Sequence, residues 1–171
     1  MLGIDVPDEF EVGHQARNDA LHLMELVDPP ETVDTWSKLI TSMLMFNAAE
    51  RGVESFYAQW RDRLRSACTG MTETSVKGLV DGLPALRGTL SCPRNPQTGK
   101  PENLEAVVVQ GVVNLMMVQV AFRRSMTPAD KALIERVAGS VKVCDQRTLV
   151  ACSARKATGF VPARQAVRRV H

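Results

Sequence analysis

Cys92-Pro93-Arg94-Asn95-Pro96-Gln97-Thr98-Gly99-Lys100-Pro101-Glu102 is the densest run of turn-forming residues in the chain. Three prolines and a glycine in eleven residues fix or free the backbone in ways that neither a helix nor a strand interior tolerates. The run follows Pro84-Ala-Leu-Arg-Gly-Thr-Leu-Ser-Cys92 and precedes Leu104-Glu-Ala-Val-Val-Val-Gln110, both of strand character. It therefore reads as a long, stiffened connection between two strands, and it carries no catalytic signature.

Working outward, Asp81-Gly82 between Val76–Val80 and Pro84–Cys92 is a strong hairpin dipeptide. Downstream, Leu104–Gln110 and Asn114–Phe122 are the most continuously apolar segments, joined around Gly111, so they belong at the centre of a sheet. Upstream, Phe10–Ala16 and Ala20–Val27 alternate apolar and polar residues around Arg17-Asn18-Asp19, which predicts a hairpin. Centred near Asn18, that hairpin places His14 opposite His22 on one face, a weak candidate pair for a metal without a third ligand. Thr35–Phe46, rich in β-branched and large apolar residues, predicts a further strand. Successive strands with short connections favour antiparallel pairing.

Two segments have helical period. Val53, Phe56, Tyr57, Trp60, Leu64 and Ala67 form one apolar stripe, which predicts a helix from about 53 to 68. Cys68 ends that stripe facing inward, where a strand carrying Cys92 could meet it, and Thr69-Gly70 terminates the helix with a glycine suited to a left-handed cap. The second helix starts at Thr127 as N-cap, with Pro128 at N1 and Asp130 at N3. Its stripe is Leu133, Ile134, Val137, Ala138 and Val141, after which Val141–Cys144 reads as a short extended piece. The expected fold class is α+β, an antiparallel β-sheet of about six to seven strands covered by two amphipathic helices.

The 171 residues suit one domain, with 44% hydrophobic, 23% charged and 5% aromatic residues. Residues 1–152 read as a single α+β domain and 153–171 as a basic C-terminal tail. No apolar run is long enough to span a bilayer as a helix. The start of the chain lacks a signal-peptide pattern, as would a chain from which one had been removed. The net charge of +2 is unevenly spread. From Gln146 onward stand Arg147, Arg155, Lys156, Arg164, Arg168 and Arg169 with no acid, while 15 basic residues face 19 acidic ones before it. Such a tail suits a nucleic-acid arm, an anionic-surface tether or a segment packed on its own body. The last is favoured because the charges are dilute. Strands poor in aromatics and lacking basic–aromatic alternation argue against a single-stranded nucleic-acid platform.

Cys68, Cys92, Cys144 and Cys152 contain no Cys-x-x-Cys spacing, which disfavours a zinc site. Three pairings are possible. Cys68–Cys92 with Cys144–Cys152 is favoured as the sequential, locally cheapest arrangement, and closing its larger loop contributes about 3.5 kcal/mol in the loop-entropy model. The alternative is four reduced thiols in a cytoplasmic protein. No nucleophile elbow, phosphate-binding loop, dinucleotide fingerprint or zinc-protease motif occurs, so no catalytic residue and no cofactor is assigned. Arg123 and Arg124, at the end of a strand, and the tail residues Arg155, Lys156, Arg164, Arg168 and Arg169 are the candidate binding residues, set against an ordinary solvated-charge reading.

The chain resembles a family of small, uncharacterised secreted proteobacterial proteins. The resemblance rests on Trp36-Ser-Lys-Leu-Ile-Thr41, on Cys68 at the end of the Trp60 helix, and on the Cys-Pro-x-Asn-Pro-x-Thr-Gly-Lys-Pro-Glu element at 92–102. Gln119-Val-Ala-Phe-Arg123 and Val141-Lys-Val-Cys144-Asp145 complete it, and the basic tail after Cys152 departs from the pattern. The order of strands and helices is also similar to the PsbP-like α/β/α sandwich. The resemblance implies an exported, disulfide-bonded protein and carries no catalytic residues with it. The expected function is a non-enzymatic periplasmic or secreted binding or accessory module, with a protein as partner and homo- or hetero-oligomers open. The alternatives are a structural subunit of a larger cell-envelope or surface assembly docked through its basic tail, and an enzyme with a cryptic site.

Overall fold

The structure is a computed structural model that describes residues 2–143 and 159–163. Its centre is a hairpin of two apolar strands, β7 (Glu102–Gln110) and β8 (Leu115–Phe122). Both faces of this hairpin are covered: Val107, Val108 and Val109 are all buried, and Val108 has 0% exposure. Side chains alternate across a strand, so Val107 and Val109 enter one core while Ala106 and Val108 enter the other. Each face thus needs its own cover. Helix α1 (Val53–Ala67) supplies Val53, Phe56 and Tyr57 to one core, and α2 (Pro128–Ser140) supplies Ile134, Val137 and Ala138 to the other. The fold is an α+β sandwich with a sheet between two helices.

Chain order explains the topology. Strands β2 (Glu11–Arg17), β3 (Leu21–Val27) and β4 (Lys38–Met45) run as a meander to the edge of β8. The chain then crosses the sheet through α1 and returns by β5 (Thr72–Val80), β6 (Leu83–Cys92), β7 and β8. A short strand β10 (Phe160–Pro162) pairs with β5, giving an antiparallel sheet of eight strands in the order β10-β5-β6-β7-β8-β4-β3-β2. The count exceeds the expected six to seven partly because β10 comes from the stretch read as tail. A separate pair joins β1 (Leu2–Gly3) to β9 (Lys142–Val143), and Ile4, Val6 and Phe10 pack into the α2-side core. No helix among the described residues is long and apolar enough to cross a membrane.

Local signals act as their chemistry dictates. Asp81 and Gly82 hold φ of 52° and 80°, the two left-handed positions that a two-residue hairpin turn requires. Thr127 accepts from the Asp130 backbone N–H at 3.3 Å while the Asp130 carboxylate accepts from the Thr127 N–H at 2.8 Å, closing a capping box. The 92–102 run connects β6 to β7, with Cys92 and Glu102 as the last register pair. Its shape depends on Asn95 as much as on the prolines. The Asn95 N–H donates to the Lys100 carbonyl at 2.8 Å, its carbonyl accepts from Gly99 at 2.7 Å, and its side-chain amide donates to Glu102 at 2.8 Å.

Three expectations need correction. The β2–β3 turn spans Asn18 to Leu21, because the Asn18 side chain accepts from the N–H groups of both Ala20 and Leu21. The register is therefore Arg17 opposite His22 and His14 opposite Glu25. His14 and Arg17 are three residues apart, so His14 and His22 lie on opposite faces and share no metal. Helix α1 ends at Ala67, which is exposed, and Cys68 is already extended; left-handed Gly70 lies in the loop beyond the cap. The strand predicted from Thr35 starts only at Lys38.

Cys68 and Cys92 form a disulfide, with Cα atoms 5.9 Å apart, that ties the end of α1 to the end of β6. Cys144 and Cys152 lie outside the described residues. Non-reducing peptide mapping should recover Cys68 and Cys92 in one cross-linked species. The Cys68→Ala/Cys92→Ala variant should lose about 2–4 kcal/mol of stability in urea unfolding.

The hydroxyl end of Tyr57 lies against Gly88 of β6, where an added Cβ would overlap the phenol. Gly88→Ala should therefore cost about 1–3 kcal/mol by overpacking, measured as a lower urea midpoint with an unchanged m value.

Candidate functional site: the open sheet edge and its cleft

Strand β5 begins Thr72-Glu-Thr-Ser-Val-Lys77, β-branched and polar residues that suit a half-solvated strand. On its inner side it pairs along its whole length with β6. On its outer side, β10 covers only Gly78, Leu79 and Val80. Gly78 permits that approach, because a Cβ there would meet the Phe160 ring and the Val161 carbonyl. Pro162 ends the pairing, having no N–H to donate. The outer edge from Thr72 to Lys77 is left without a strand partner among the described residues.

Beside this edge, on the α2 side of the sheet, opens a cleft of about 360 Å³. Its floor follows from register: Thr74 and Val76 of β5 lie beside Thr89 and Arg87 of β6, and Thr89 lies beside Glu105 of β7. Glu135 of α2 forms the roof, and Phe160 and Pro162 form an apolar wall. The Arg87 guanidinium bridges both acids, donating to Glu105 through Nε and to Glu135 through Nη2 at 2.6 Å. Thr89 adds a hydroxyl donor to Glu105 at 3.2 Å. Burial alone lowers the Arg87 pKa, but its hydrogen bonds to Glu135 and Glu105 outweigh burial and hold it above its ordinary value. Arg87 is thus a fixed cation between two carboxylates, one sheltered (Glu105, 11% exposed) and one open (Glu135, 67% exposed). The three charges sum to −1.

The opposite flank of the edge is closed. Glu73 is held by Arg65 at 3.1 Å and by Arg61 at 3.6 Å, and Lys77 is held by Glu54 at 2.7 Å. Burial, followed by the Glu73 charge, pushes the Tyr57 hydroxyl above its ordinary titration range.

The residues singled out from the sequence do not converge here. The Arg123 guanidinium stacks on Trp36 at 3.9 Å and donates to the Asp34 carbonyl at 3.2 Å. Arg124 grips Asp130 through both terminal nitrogens, one at 2.7 Å. Both arginines are engaged with their own fold. A second cleft of about 360 Å³ near the start of α2 has its cations matched in the same way, Lys38 by Asp28 and Arg136 by Asp5. His22 meets Gln15 at 2.8 Å, and no group of three potential metal ligands occurs among the described residues. Arg155, Lys156, Arg164, Arg168 and Arg169 lie outside the described residues. The cleft residues went unread because each looks ordinary alone. The available signal was a pair of charges, Arg87 and Glu105, each placed within an otherwise apolar strand segment.

Asp130 links α2 to the end of β8 with a side chain only 4% exposed. Burial raises its pKa, while the Arg124 hydrogen bonds and the Thr127 N–H and hydroxyl lower it further, for a net depression. A depressed carboxylate stabilises the fold above its unfolded pKa and loses that contribution as pH falls through the folded one. Asp130→Asn should cost about 1–2 kcal/mol at pH 7. The gap to the wild type should narrow below about pH 4 in urea titrations across pH. No protein-family model matches the chain, and no curated protein matches it either.

Proposed function

We propose that the protein is a non-enzymatic binding module of an oxidising compartment, the periplasm or the cell exterior, and that it takes a protein partner on the open edge of β5. The observation that carries the reading is a six-residue stretch of strand edge that has no strand partner among the described residues, beside a charged cleft. An unpaired edge offers a row of backbone donors and acceptors that pair readily with another chain. The central strands β7 and β8 are buried between the two helices, whereas β2 at the far edge of the sheet is exposed along its whole length and, among the described residues, has no such cleft beside it. The compartment rests on Cys68–Cys92, since structural disulfides persist where thiols are not kept reduced. The cleft residues fit recognition better than turnover: both carboxylates are held by one guanidinium, and among the described residues neither has a second titratable group poised to exchange a proton with it.

Proline scanning of the edge tests the reading. Alternate residues of an edge strand point their N–H outward, so one of Thr74→Pro and Ser75→Pro removes only an outward donor. The variant that keeps the wild-type thermal midpoint should fail to recover partners that the wild type recovers from native envelope extract. Recovery of the same partners by both proteins would sink the proposal.

A further inference from the structure

The chemistry of the cleft specifies more than a generic partner, on the footing that the open edge is the binding surface. We infer that the edge accepts an extended segment of the partner as an added strand, and that this segment inserts a lysine or arginine side chain into the cleft between Glu135 and Phe160.

Length comes first. Six residues without a strand partner among the described residues, at about 3.4 Å each, accommodate a peptide strand of roughly 20 Å, enough for five or six residues. Alternation then divides the side chains of an added strand between the two faces. Those beside Thr74 and Val76 fall on the α2 side, next to the cleft, and those beside Glu73, Ser75 and Lys77 fall on the α1 side.

Charge decides which side chain the cleft takes. Arg87 neutralises only one of its two acids. Glu135 is largely exposed and, among the described residues, uses its oxygens on Arg87 alone, so lone pairs remain for a second cation. A long basic side chain also has an apolar stem, and Phe160 and Pro162 give that stem a surface to pack against. An acidic side chain at the same place would face Glu135 and Glu105 with Arg87 already committed. The α1 flank offers no such excess, because Arg61 and Arg65 are matched by Asp62 and Glu73, and Lys77 by Glu54. Attraction on the cleft face alone thus favours the register that places the basic side chain there.

Fluorescence anisotropy on the oxidised, full-length protein tests this with synthetic probes. One is a capped threonine–valine hexapeptide with a lysine at its fourth position; the others carry glutamate or norleucine there. The lysine peptide should bind about tenfold more tightly than the norleucine peptide, and the glutamate peptide more weakly still. Glu135→Gln should remove most of that preference, and methylating alternate backbone nitrogens of the lysine peptide should abolish binding.

Equal affinity for the three peptides, or an unchanged preference in Glu135→Gln, overturns the inference. So does peptide binding that emerges only after Arg164, Arg168 and Arg169 are replaced by serine, which would make the chain's own basic end the occupant. Self-association in sedimentation that excludes the peptide would assign the edge to a second copy and also overturn it. The envelope pull-down separates the two levels. An edge-dependent partner with charge-blind peptides leaves the binding function standing and removes only the basic anchor.

Discussion

The two-sided burial of β7 and β8 is the constraint from which the remaining architecture follows. Strands with Val107, Val108 and Val109 in succession have no face that can meet water, so both faces must be roofed. Fully burying one such side chain is worth about 1.5–3 kcal/mol, and the hairpin contributes many of them. Two helices on opposite faces are the cover, and the crossing through α1 is how one chain reaches both sides. Phe56 and Tyr57 serve one roof, Ile134 and Val137 the other. The disulfide from Cys68 to Cys92 lies where α1 hands the chain back to the sheet, so it braces the roof that Tyr57 and Gly88 bring into close contact.

Neither helix extends over the whole sheet, and the places left uncovered are where polar side chains enter its faces. Arg87 and Glu105 project from the same strands that supply the core, at the margin of the area that α2 roofs. A charge at such a margin must be matched or solvated. Here one guanidinium matches two carboxylates and leaves one of them facing solvent. The cleft at the start of α2 also holds an acid, Glu9, beyond its matched pairs, so what distinguishes this margin is the neighbouring strand edge, which has no strand partner among the described residues.

Much of this fold is legible without coordinates because its signals are local. Asp81-Gly82 specifies a two-residue turn through the backbone conformations those residues tolerate. Thr127, Pro128 and Asp130 specify a helix start through the donors they satisfy. The stripe from Val53 to Leu64 specifies a helix with one buried face. The β2–β3 register is a contrasting case. Its sequence contains the turn residues, but the side-chain hydrogen bonds of Asn18 decide where the turn closes. A shift by an odd number of residues then exchanges the faces, which separates His14 from His22. Arg123 and Arg124 are similar: adjacent in sequence they resemble an anion grip, yet Trp36 and Asp130 claim them one by one.

The element types, the antiparallel pairing, the two amphipathic helices and the partner of Cys92 are all legible in the sequence. All of these depend on backbone preference, on periodicity or on contacts between neighbouring elements. Tertiary contacts alone settle that β10 reaches only Gly78, leaving Thr72–Lys77 without a strand partner among the described residues, and that Arg87, Glu105 and Glu135 meet beside that edge. Those residues come from two strands and a helix separated by 18 to 48 positions in the chain. What brings them together is the register of β6 on β7 and the seat of α2 on the sheet, neither of which any single stretch encodes.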